Sequence, residues 1–318
     1  MLSSMTFTML PRVRALSATC HVRCGAQLVL PGRCRKQQLP ALLIIDRKPM
    51  QPLRDETFRR ITALMHGAIG LSFNESKKPL VSSRLAPRVQ KLGMDGYDAY
   101  IDLISRPDSG GEFQMAVDLL TTNETYFFRE PAHFDMLERE LSALKPSSVA
   151  VWSAASSFGD EAYSTAMLLA DLQAQGRIGS AWSVLGTDIS DRVLRSAIEA
   201  IYPEERLRNV SPTRMRRHCL RGEGRSEGMA QVGQELRRHV RFGQLNLCRP
   251  IEKLGPFDVV FLRNVLIYFD VPTKVAVVDR VLAELRPGGL FFIGTAEGRV
   301  PCSTPLQTLA PGAFRKVA

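Results

Sequence analysis

Apolar residues recur at helical spacing over residues 58–121, the first part of the chain with a regular pattern. In residues 58–71, for example, Phe58, Ile61 and Met65 fall on one face of a helix. The same spacing predicts helices over residues 58–71, 82–93, 97–105 and 113–121. A glycine closes the second of these segments and a proline follows the third, so both have a stop signal. We therefore predict a small all-helical domain over residues 51–125.

The pattern changes beyond Pro146 to short apolar runs that alternate with amphipathic segments. The apolar runs predict strands over residues 149–156, 182–190, 257–269 and 290–296. The segments between them predict helices over residues 161–176, 191–202 and 272–289. Strands and helices that alternate in this way favour a mostly parallel sheet with helices on both faces. We therefore predict an α/β fold, a doubly wound sheet, in residues 126–318.

An insertion at about residues 214–245 interrupts this alternation. Residues 228–236 and 237–245 are typical of two short strands, and residues 221–228 form a glycine-rich turn before them. We predict that the insertion folds as a small antiparallel β subdomain.

Length and composition allow a globular enzyme. The chain has 318 residues, of which 45% are hydrophobic, enough for one large domain or two smaller ones. A membrane-spanning helix needs roughly 20 consecutive apolar residues, and the longest apolar runs here contain charges. We predict a soluble protein that does not insert into a membrane.

The formal net charge of +10 is distributed unevenly. Residues 1–50 hold eight lysines or arginines and one acidic residue, whereas the rest of the chain holds 34 basic and 31 acidic residues. A nearly neutral body argues against wholesale binding to nucleic acid. We therefore expect no nucleic-acid partner.

Residues 1–50 show no sustained periodicity, and we predict a poorly structured extension. Cys20, His21 and Cys24 lack a second spaced pair, so we predict no metal site. An arginine-rich leader can mimic a transit peptide, but a reading frame that starts at Met50 is the simpler explanation. The other cysteines are scattered and indicate no disulfide framework.

Two features predict an adenosine-bearing cofactor. The small residues 154–157 and Gly159 follow the first strand, where a ligand could approach the backbone at a helix N-terminus. Asp188 ends the second strand, where an acidic side chain can accept hydrogen bonds from both ribose hydroxyls. The alternative is that Asp188 caps the next helix, a role for which Ser190 and Asp191 compete.

Six segments carry a resemblance to a known family. They are TTNETYFFRE (121–130), VWSAASSFGDEAYS (151–164), GTDIS (186–190), QLNL (244–247), FDVVFLRNVLIYFD (257–270) and LRPGGLFFIGTAE (285–297). In order and spacing they resemble the signature segments of CheR-type chemotaxis receptor methyltransferases, over about residues 53–300. The resemblance implies a helical domain joined to a Rossmann-like catalytic domain of the class I S-adenosylmethionine-dependent methyltransferases.

The same resemblance implies that S-adenosylmethionine is the cofactor and that glutamate side chains of chemotaxis receptors become methyl esters. It assigns cofactor binding to Asn123, Thr125, Arg129, Glu161, Asp188, Asn246, Leu247, Arg263 and Asn264. It implies that Arg129 and Tyr268 are catalytic residues that orient the substrate carboxylate. Because this carboxylate is already an anion, no general base is needed and positioning provides the catalysis. The alternatives are that Asn123 caps a helix and that Tyr268 is a core aromatic residue.

Four positions depart from the family pattern. They are Phe158, Asp160, Leu262 and Thr295, the last within the segment GTAE. None removes a group that methyl transfer needs, so we expect them to affect only cofactor affinity and the wall of the pocket.

The resemblance also bears on partners. In some members of the family the β insertion captures the C-terminal peptide of a receptor, and the alternative here is an ordinary hairpin. Arg84, Arg88 and Lys91 lie on one face of a predicted helix, which is either a solvated face or a docking surface for an acidic receptor segment.

We expect a monomer in the cytoplasm. An RNA methyltransferase and a non-catalytic cofactor-binding regulator are the alternative functions; the second is disfavoured because Arg129 and Tyr268 are both present.

Overall fold

A computed structural model describes the backbone of residues 7–9 and the chain over residues 51–298 and 302–317. In these ranges the α-helices are α1 (Asp55–Ile69), α2 (Lys78–Lys91), α3 (Tyr97–Ile104), α4 (Glu112–Leu120), α5 (Pro131–Leu144), α6 (Asp160–Ala174), α7 (Asp191–Glu199), α8 (Pro212–His218), α9 (Gln234–Arg237) and α10 (Val271–Ala283). The strands are β1 (Phe7–Met9), β2 (Ser148–Ala154), β3 (Ala181–Asp188), β4 (Ile201–Pro203), β5 (Cys219–Gly222), β6 (Met229–Val232), β7 (Val240–Gln244), β8 (Phe257–Leu262), β9 (Leu285–Ile293), β10 (Leu306–Ala310) and β11 (Ala313–Lys316).

The four helices predicted in the first part of the chain correspond to α1 to α4, with ends shifted by a few residues. Each turns an apolar face toward one core, which includes the fully buried side chains of Ile61, Met65, Leu85 and Tyr100. Gly70 ends α1 in a left-handed conformation with φ of 72°. The segment after α1 contacts the α/β part of the molecule before α2 begins, because the N–H of Ser72 donates to the backbone oxygen of Tyr268 at 2.9 Å.

The α/β part is built on a seven-stranded sheet with the order β10-β11-β9-β8-β2-β3-β7. The five strands from β9 to β7 are parallel, and β11 and β10 add antiparallel strands at one edge. Because the chain first builds outward from β2 to β3 and β7 and then returns to place β8 on the other side of β2, the strand order reverses at β2. In open sheets of this kind ligands bind at the carboxyl ends of the strands, beside such a reversal. The predicted α/β fold with a helical domain is confirmed.

An antiparallel insertion is also present, but its strands differ from those predicted. Its sheet has the order β1-β5-β6-β4, and the glycine-rich segment 221–228 spans the turn between β5 and β6. The prediction that residues 237–245 belong to it was wrong: Val240–Gln244 forms β7, which pairs in parallel with β3 in the main sheet. Alternation of side chains identifies a strand but does not show which sheet that strand joins.

Residues 7–9 form a strand inside the segment predicted to be unstructured, so that prediction was wrong for these three residues. They pair antiparallel with β5, with Thr8 opposite Arg221. The predictions for Cys20, His21, Cys24 and Met50 lie outside the described residues. In the part of the chain that the structure describes, no helix is long and apolar enough to span a membrane.

Two residues of the basic stripe on α2, which consists of Arg84, Arg88 and Lys91, bond to other parts of the protein. Arg88 donates from Nε and Nη2 to the two carboxylate oxygens of Glu112 in α4, at 2.7 and 2.5 Å. These hydrogen bonds lower the pKa of Glu112, which also accepts the Tyr100 hydroxyl at 3.1 Å. Arg84 donates to the main-chain oxygens of residues 120 and 121. Arg88 therefore ties α2 to the start of α4 and Arg84 ties it to the end of α4, whereas Lys91 is exposed. The choice between a solvated face and a docking surface stays a prediction.

Candidate functional site

An open cavity lies at the carboxyl ends of β2, β3 and β8. Its floor is the edge of the sheet, and Ile69 and Leu71 of the helical domain form part of its wall. The sequence-predicted site residues that line it are Asn123, Thr125, Arg129, Glu161, Asp188, Asn246, Leu247, Arg263, Asn264 and Tyr268. These residues come from separate segments, so the fold brings the whole predicted set to one place. Their individual roles remain predictions.

The turn after β2 is strained and open toward the cavity. Ala155 and Ser157 adopt left-handed conformations with φ of 72° and 51°. Gly159 begins α6 with φ of 86°, and a Cβ there would lie 2.9 Å from the ring of Phe242. Such strain persists where the surroundings impose it, often at ligand sites. The hydroxyl of Ser156, which lines the cavity, is buried without a protein partner and is a group that a ligand could satisfy.

Asp188 ties two turns together at the end of β3. Its Oδ2 accepts the backbone N–H of Ser157 at 2.9 Å, and its Oδ1 accepts that of Ser190 at 2.9 Å. The helix cap of α7 is Ser190, whose hydroxyl oxygen accepts the N–H of Val193, so the capping alternative for Asp188 does not hold. Burial raises the pKa of Asp188. Each carboxylate oxygen keeps a further lone pair, and the pair of oxygens can accept two ligand hydroxyls.

Glu161 and Arg263, which the sequence placed in different segments, form a buried ion pair beside the same cavity. Arg263 donates to Glu161 Oε2 at 3.1 Å, and the Ser153 hydroxyl donates to Glu161 Oε1 at 2.7 Å. The side chain of Arg263 is only 2% exposed and also donates to the backbone oxygen of Arg129. Burial raises the pKa of Glu161, and the charge of Arg263 opposes that effect. A fixed carboxylate at the start of a helix, with a cation behind it, suits a ligand that carries an amino group.

The far end of the cavity lies between the two domains. The side-chain amide of Asn246 donates to the backbone oxygen of Ala68 at the end of α1, at 2.8 Å. Its Oδ1 accepts the N–H of Cys248 at 3.0 Å, and Leu247 between them is buried. The contribution of Ile69 and Leu71 was missed, because at helical spacing these residues read as core positions of the helical domain. Only the turn at Gly70, which redirects the chain, could have signalled it.

The segment before α5 forms the side of the cavity that faces solvent. The Asn123 side chain donates to Thr121 Oγ1, and its backbone oxygen accepts the Ser157 hydroxyl at 3.1 Å, so it does not cap a helix. Arg129 donates to the backbone oxygen of Glu124 at 2.8 Å. Tyr268 lies opposite, partly buried against the helical core and partly lining the cavity, so the core interpretation and the site interpretation each describe one of its faces.

Of the four departures from the family pattern, Phe158, Asp160 and Leu262 are buried or half-buried and Thr295 is exposed. The ring of Phe158 lies under the guanidinium groups of Arg192 and Arg206, at 5.3 and 4.6 Å. Asp160 is fully buried and pairs with Arg206 at 2.6 Å, and burial raises its pKa to about 6. Leu262 is a core residue, and the N–H of Thr295 donates to Glu130. Among the described residues that line the cavity, none is one of these four.

The arrangement fits S-adenosylmethionine. Paired carboxylate oxygens at Asp188 suit ribose hydroxyls, the carboxylate of Glu161 suits the methionine ammonium group, and the apolar wall at Leu247 suits a planar base. The unsatisfied hydroxyl of Ser156 adds a polar group that awaits a partner. The described donors and acceptors thus match all three parts of the cofactor.

Comparison with known proteins agrees with this geometry. The family described as CheR methyltransferase, SAM binding domain, matches residues 123–308, and the family described as CheR methyltransferase, all-alpha domain, matches residues 56–121. The chain is 38% identical over 256 residues to the chemotaxis protein methyltransferase of Escherichia coli K12, covering 80% of this chain and 88% of that protein. It is 40% identical over 247 residues to the enzyme of the same name from Klebsiella aerogenes, covering 77% and 84%. It is 39% identical over 253 residues to chemotaxis protein methyltransferase 2 of Pseudomonas aeruginosa, covering 78% and 88%.

Proposed function

The chain belongs to the CheR methyltransferase family, and from that premise we propose that it esterifies glutamate side chains of chemotaxis receptors with the methyl group of S-adenosylmethionine. The observation that carries the proposal is the convergence of Asp188, Glu161 and Tyr268 on one cavity at the reversal of strand order. A ribose acceptor, an ammonium acceptor and a hydroxyl donor at the mouth match a methyl-transfer site.

We propose that the cofactor is held along the edge of the sheet. Asp188 would accept the ribose hydroxyls, Glu161 the methionine ammonium group, and Asn246 and Leu247 would flank the adenine. Asn123, Thr125, Arg129, Arg263 and Asn264 would complete the binding site. When bound, S-adenosylmethionine supplies an electrophilic methyl group on a sulfonium ion. The protein needs no general base, because the substrate carboxylate is already ionised at neutral pH.

Arg129 and Tyr268 would position that carboxylate at the mouth of the cavity. Arg129 offers a planar fork of donors and Tyr268 a single hydroxyl donor, so together they can fix both the place and the orientation of the carboxylate. Transfer neutralises a cation and an anion, and a site that excludes water favours such a step. The walls from both domains, with Ile69 and Leu71 on one side, would provide that exclusion around the bound cofactor.

We further propose that the enzyme acts as a monomer in the cytoplasm and that its antiparallel subdomain tethers the C-terminal peptide of a receptor. The pairing of residues 7–9 with β5 supports the second point, because it is an extended segment added antiparallel to that edge. A labelled receptor C-terminal peptide should bind, and a chain that begins at Met50 should bind it at least as tightly. Binding to neither chain would contradict the tether.

The decisive experiment uses methyl-labelled S-adenosylmethionine and receptor-bearing membranes. Alkali should release volatile labelled methanol, which reports an ester and not an N-methyl product. The variant Tyr268→Phe, which keeps the ring and loses the hydroxyl, should transfer methyl groups more slowly while its affinity for the cofactor stays unchanged. Label that resists alkali, or label transferred to RNA instead of protein, would refute the proposed function.

A further inference from the structure

Asn264, at the end of β8, is held by carboxylates from two other segments. Its backbone N–H donates to Glu297 Oε2 at 2.9 Å, and its side-chain amide donates to Glu130 Oε1 at 3.3 Å. It adopts a left-handed conformation with φ of 58°, which asparagine tolerates better than most residues other than glycine. The two carboxylates thus hold in place a residue that lines the cavity.

Glu130 is at the N-cap position of α5, but its side chain does not cap the helix. It precedes the first residue of α5 but has φ of 57° and makes no side-chain capping hydrogen bond. Its carboxylate accepts the N–H of Thr295 at 3.1 Å and lies 3.6 Å from Arg263 and 3.4 Å from Nδ1 of His133 in α5. Burial alone would raise the pKa of Glu130, but the charge of Arg263 and the hydrogen bonds lower it below its ordinary value. An anion therefore lies behind both Arg263 and Asn264.

Glu297 accepts hydrogen bonds from the backbone on the side of Asn264 opposite Glu130 in the hydrogen-bond network. Besides Asn264 it accepts the N–H of Leu266 at 2.7 Å and that of Gly294 at 2.6 Å. These contacts fix the short segment that runs from Asn264 to Tyr268. A Cβ on Gly294 would lie 2.5 Å from the Asn264 side-chain nitrogen and 2.9 Å from Glu297 Oε2, so the approach requires glycine.

We propose that Glu130 and Glu297 are positioning residues for methyl transfer, which act through Arg263, Asn264 and the segment that ends at Tyr268. Neither carboxylate lines the cavity, and the inference rests on the proposed function of the residues that they hold. Replacement of either by glutamine keeps the shape but removes the charge and turns an amino group toward the donors. The held residues then lose their fixed orientation toward the cofactor.

The test compares Glu130→Gln and Glu297→Gln with a matched control. Glu284 also accepts two backbone N–H groups, those of Leu254 and Gly255 at 2.8 and 2.7 Å, but it lies away from the cavity. Calorimetry should show about tenfold or greater loss of S-adenosylmethionine affinity for the first two variants, and no loss for Glu284→Gln. Because both carboxylates act on Asn264, the double variant should lose less than the product of the two single losses.

Steady-state kinetics separates positioning from stability. At temperatures well below the unfolding transition, the KM for the cofactor should rise for Glu130→Gln and Glu297→Gln. The kcat of Glu297→Gln should also fall, because the segment that Glu297 holds ends at Tyr268. If Glu297→Gln does not fold, Gly294→Ala replaces it, because the added methyl group separates the same atoms. Wild-type affinity for the cofactor in these variants, or an equal loss in Glu284→Gln, would overturn the proposal. Absence of base-labile ester from the wild-type enzyme would instead refute the proposed function, while the calorimetric result still decides the role of the two carboxylates.

Discussion

Replacement of Asp188 separates its role in the fold from its role toward the cofactor. The carboxylate accepts the backbone N–H groups of Ser157 and Ser190, and Asp188 also lines the cavity. Asp188→Ala removes both kinds of contact. Asp188→Asn keeps the volume and one acceptor oxygen, so it retains part of the backbone contacts and loses the charge.

The expected magnitudes differ for the two roles. A buried donor left without its acceptor costs about 1–3 kcal/mol, and water in the adjoining cavity can replace part of the loss. We therefore expect Asp188→Ala to lower the free energy of unfolding by about 2 kcal/mol and Asp188→Asn by less. A hydrogen bond to a charged group contributes about 1.5–3 kcal/mol, so both variants should bind S-adenosylmethionine roughly ten- to hundredfold more weakly.

Urea unfolding without cofactor measures the first quantity, and isothermal calorimetry measures the second. Asp191→Ala is a suitable control, because Asp191 lies three residues further on, partly exposed, and pairs with Arg195 on the surface of α7. It should change neither quantity appreciably. If Asp188→Asn loses stability but binds the cofactor like the wild-type protein, Asp188 only joins the two turns and the ribose assignment is wrong.

Three further predictions concern other parts of the chain. Arg88→Met should destabilise the protein, because it leaves the buried Glu112 without its cation, whereas Lys91→Met should not. If both variants have the receptor KM of the wild type at low salt, the stripe of Arg84, Arg88 and Lys91 is not a docking surface. Asp171→Asn should destabilise the protein at pH 7, because burial alone would raise the pKa of Asp171 but its hydrogen bonds from α8 lower it well below the ordinary value. A lowered pKa stabilises the folded state above the unfolded value of 3.8, so the difference between the variant and the wild type in urea unfolding should shrink as the pH falls below about 4. A chain that begins at Met50 should fold and methylate receptors normally, and loss of either property would show that the first residues are structural.

Periodicity predicted the helices of the first domain and the central strands because each carries a continuous apolar face or run. It failed at Ile201 and Tyr202, which extend the helical pattern of α7 but form β4. The helix ends at Ala200 in a left-handed conformation, and alanine carries no signal for such a turn. Glu112 and Arg88 show a second limit, since an ion pair across 24 residues cannot be read from the charge pattern of one helix.

The candidate site was predicted residue by residue through the family segments, and the cavity gathers all of those residues. The family segments did not predict the hydrogen bonds that hold these site residues in place. Glu130 and Glu297 stand inside the quoted stretches, yet their partners are Asn264 and Thr295, which only the folded chain brings near. Hydrogen bonds between distant segments depend on tertiary geometry, and no local pattern encodes them.

The position of the cavity at the seam between the two domains has a thermodynamic consequence. Hydrogen bonds already join the two domains without ligand: Asn246 bonds to Ala68, Ser72 to Tyr268, and His66 to Asp270. A cofactor that contacts both sides binds only when both domains are folded, and its binding free energy is then shared between them. Saturating S-adenosylmethionine should therefore merge the melting of the helical domain and that of the α/β domain into one cooperative calorimetric transition. In that sense the small molecule acts as a structural member of the protein as well as a reagent.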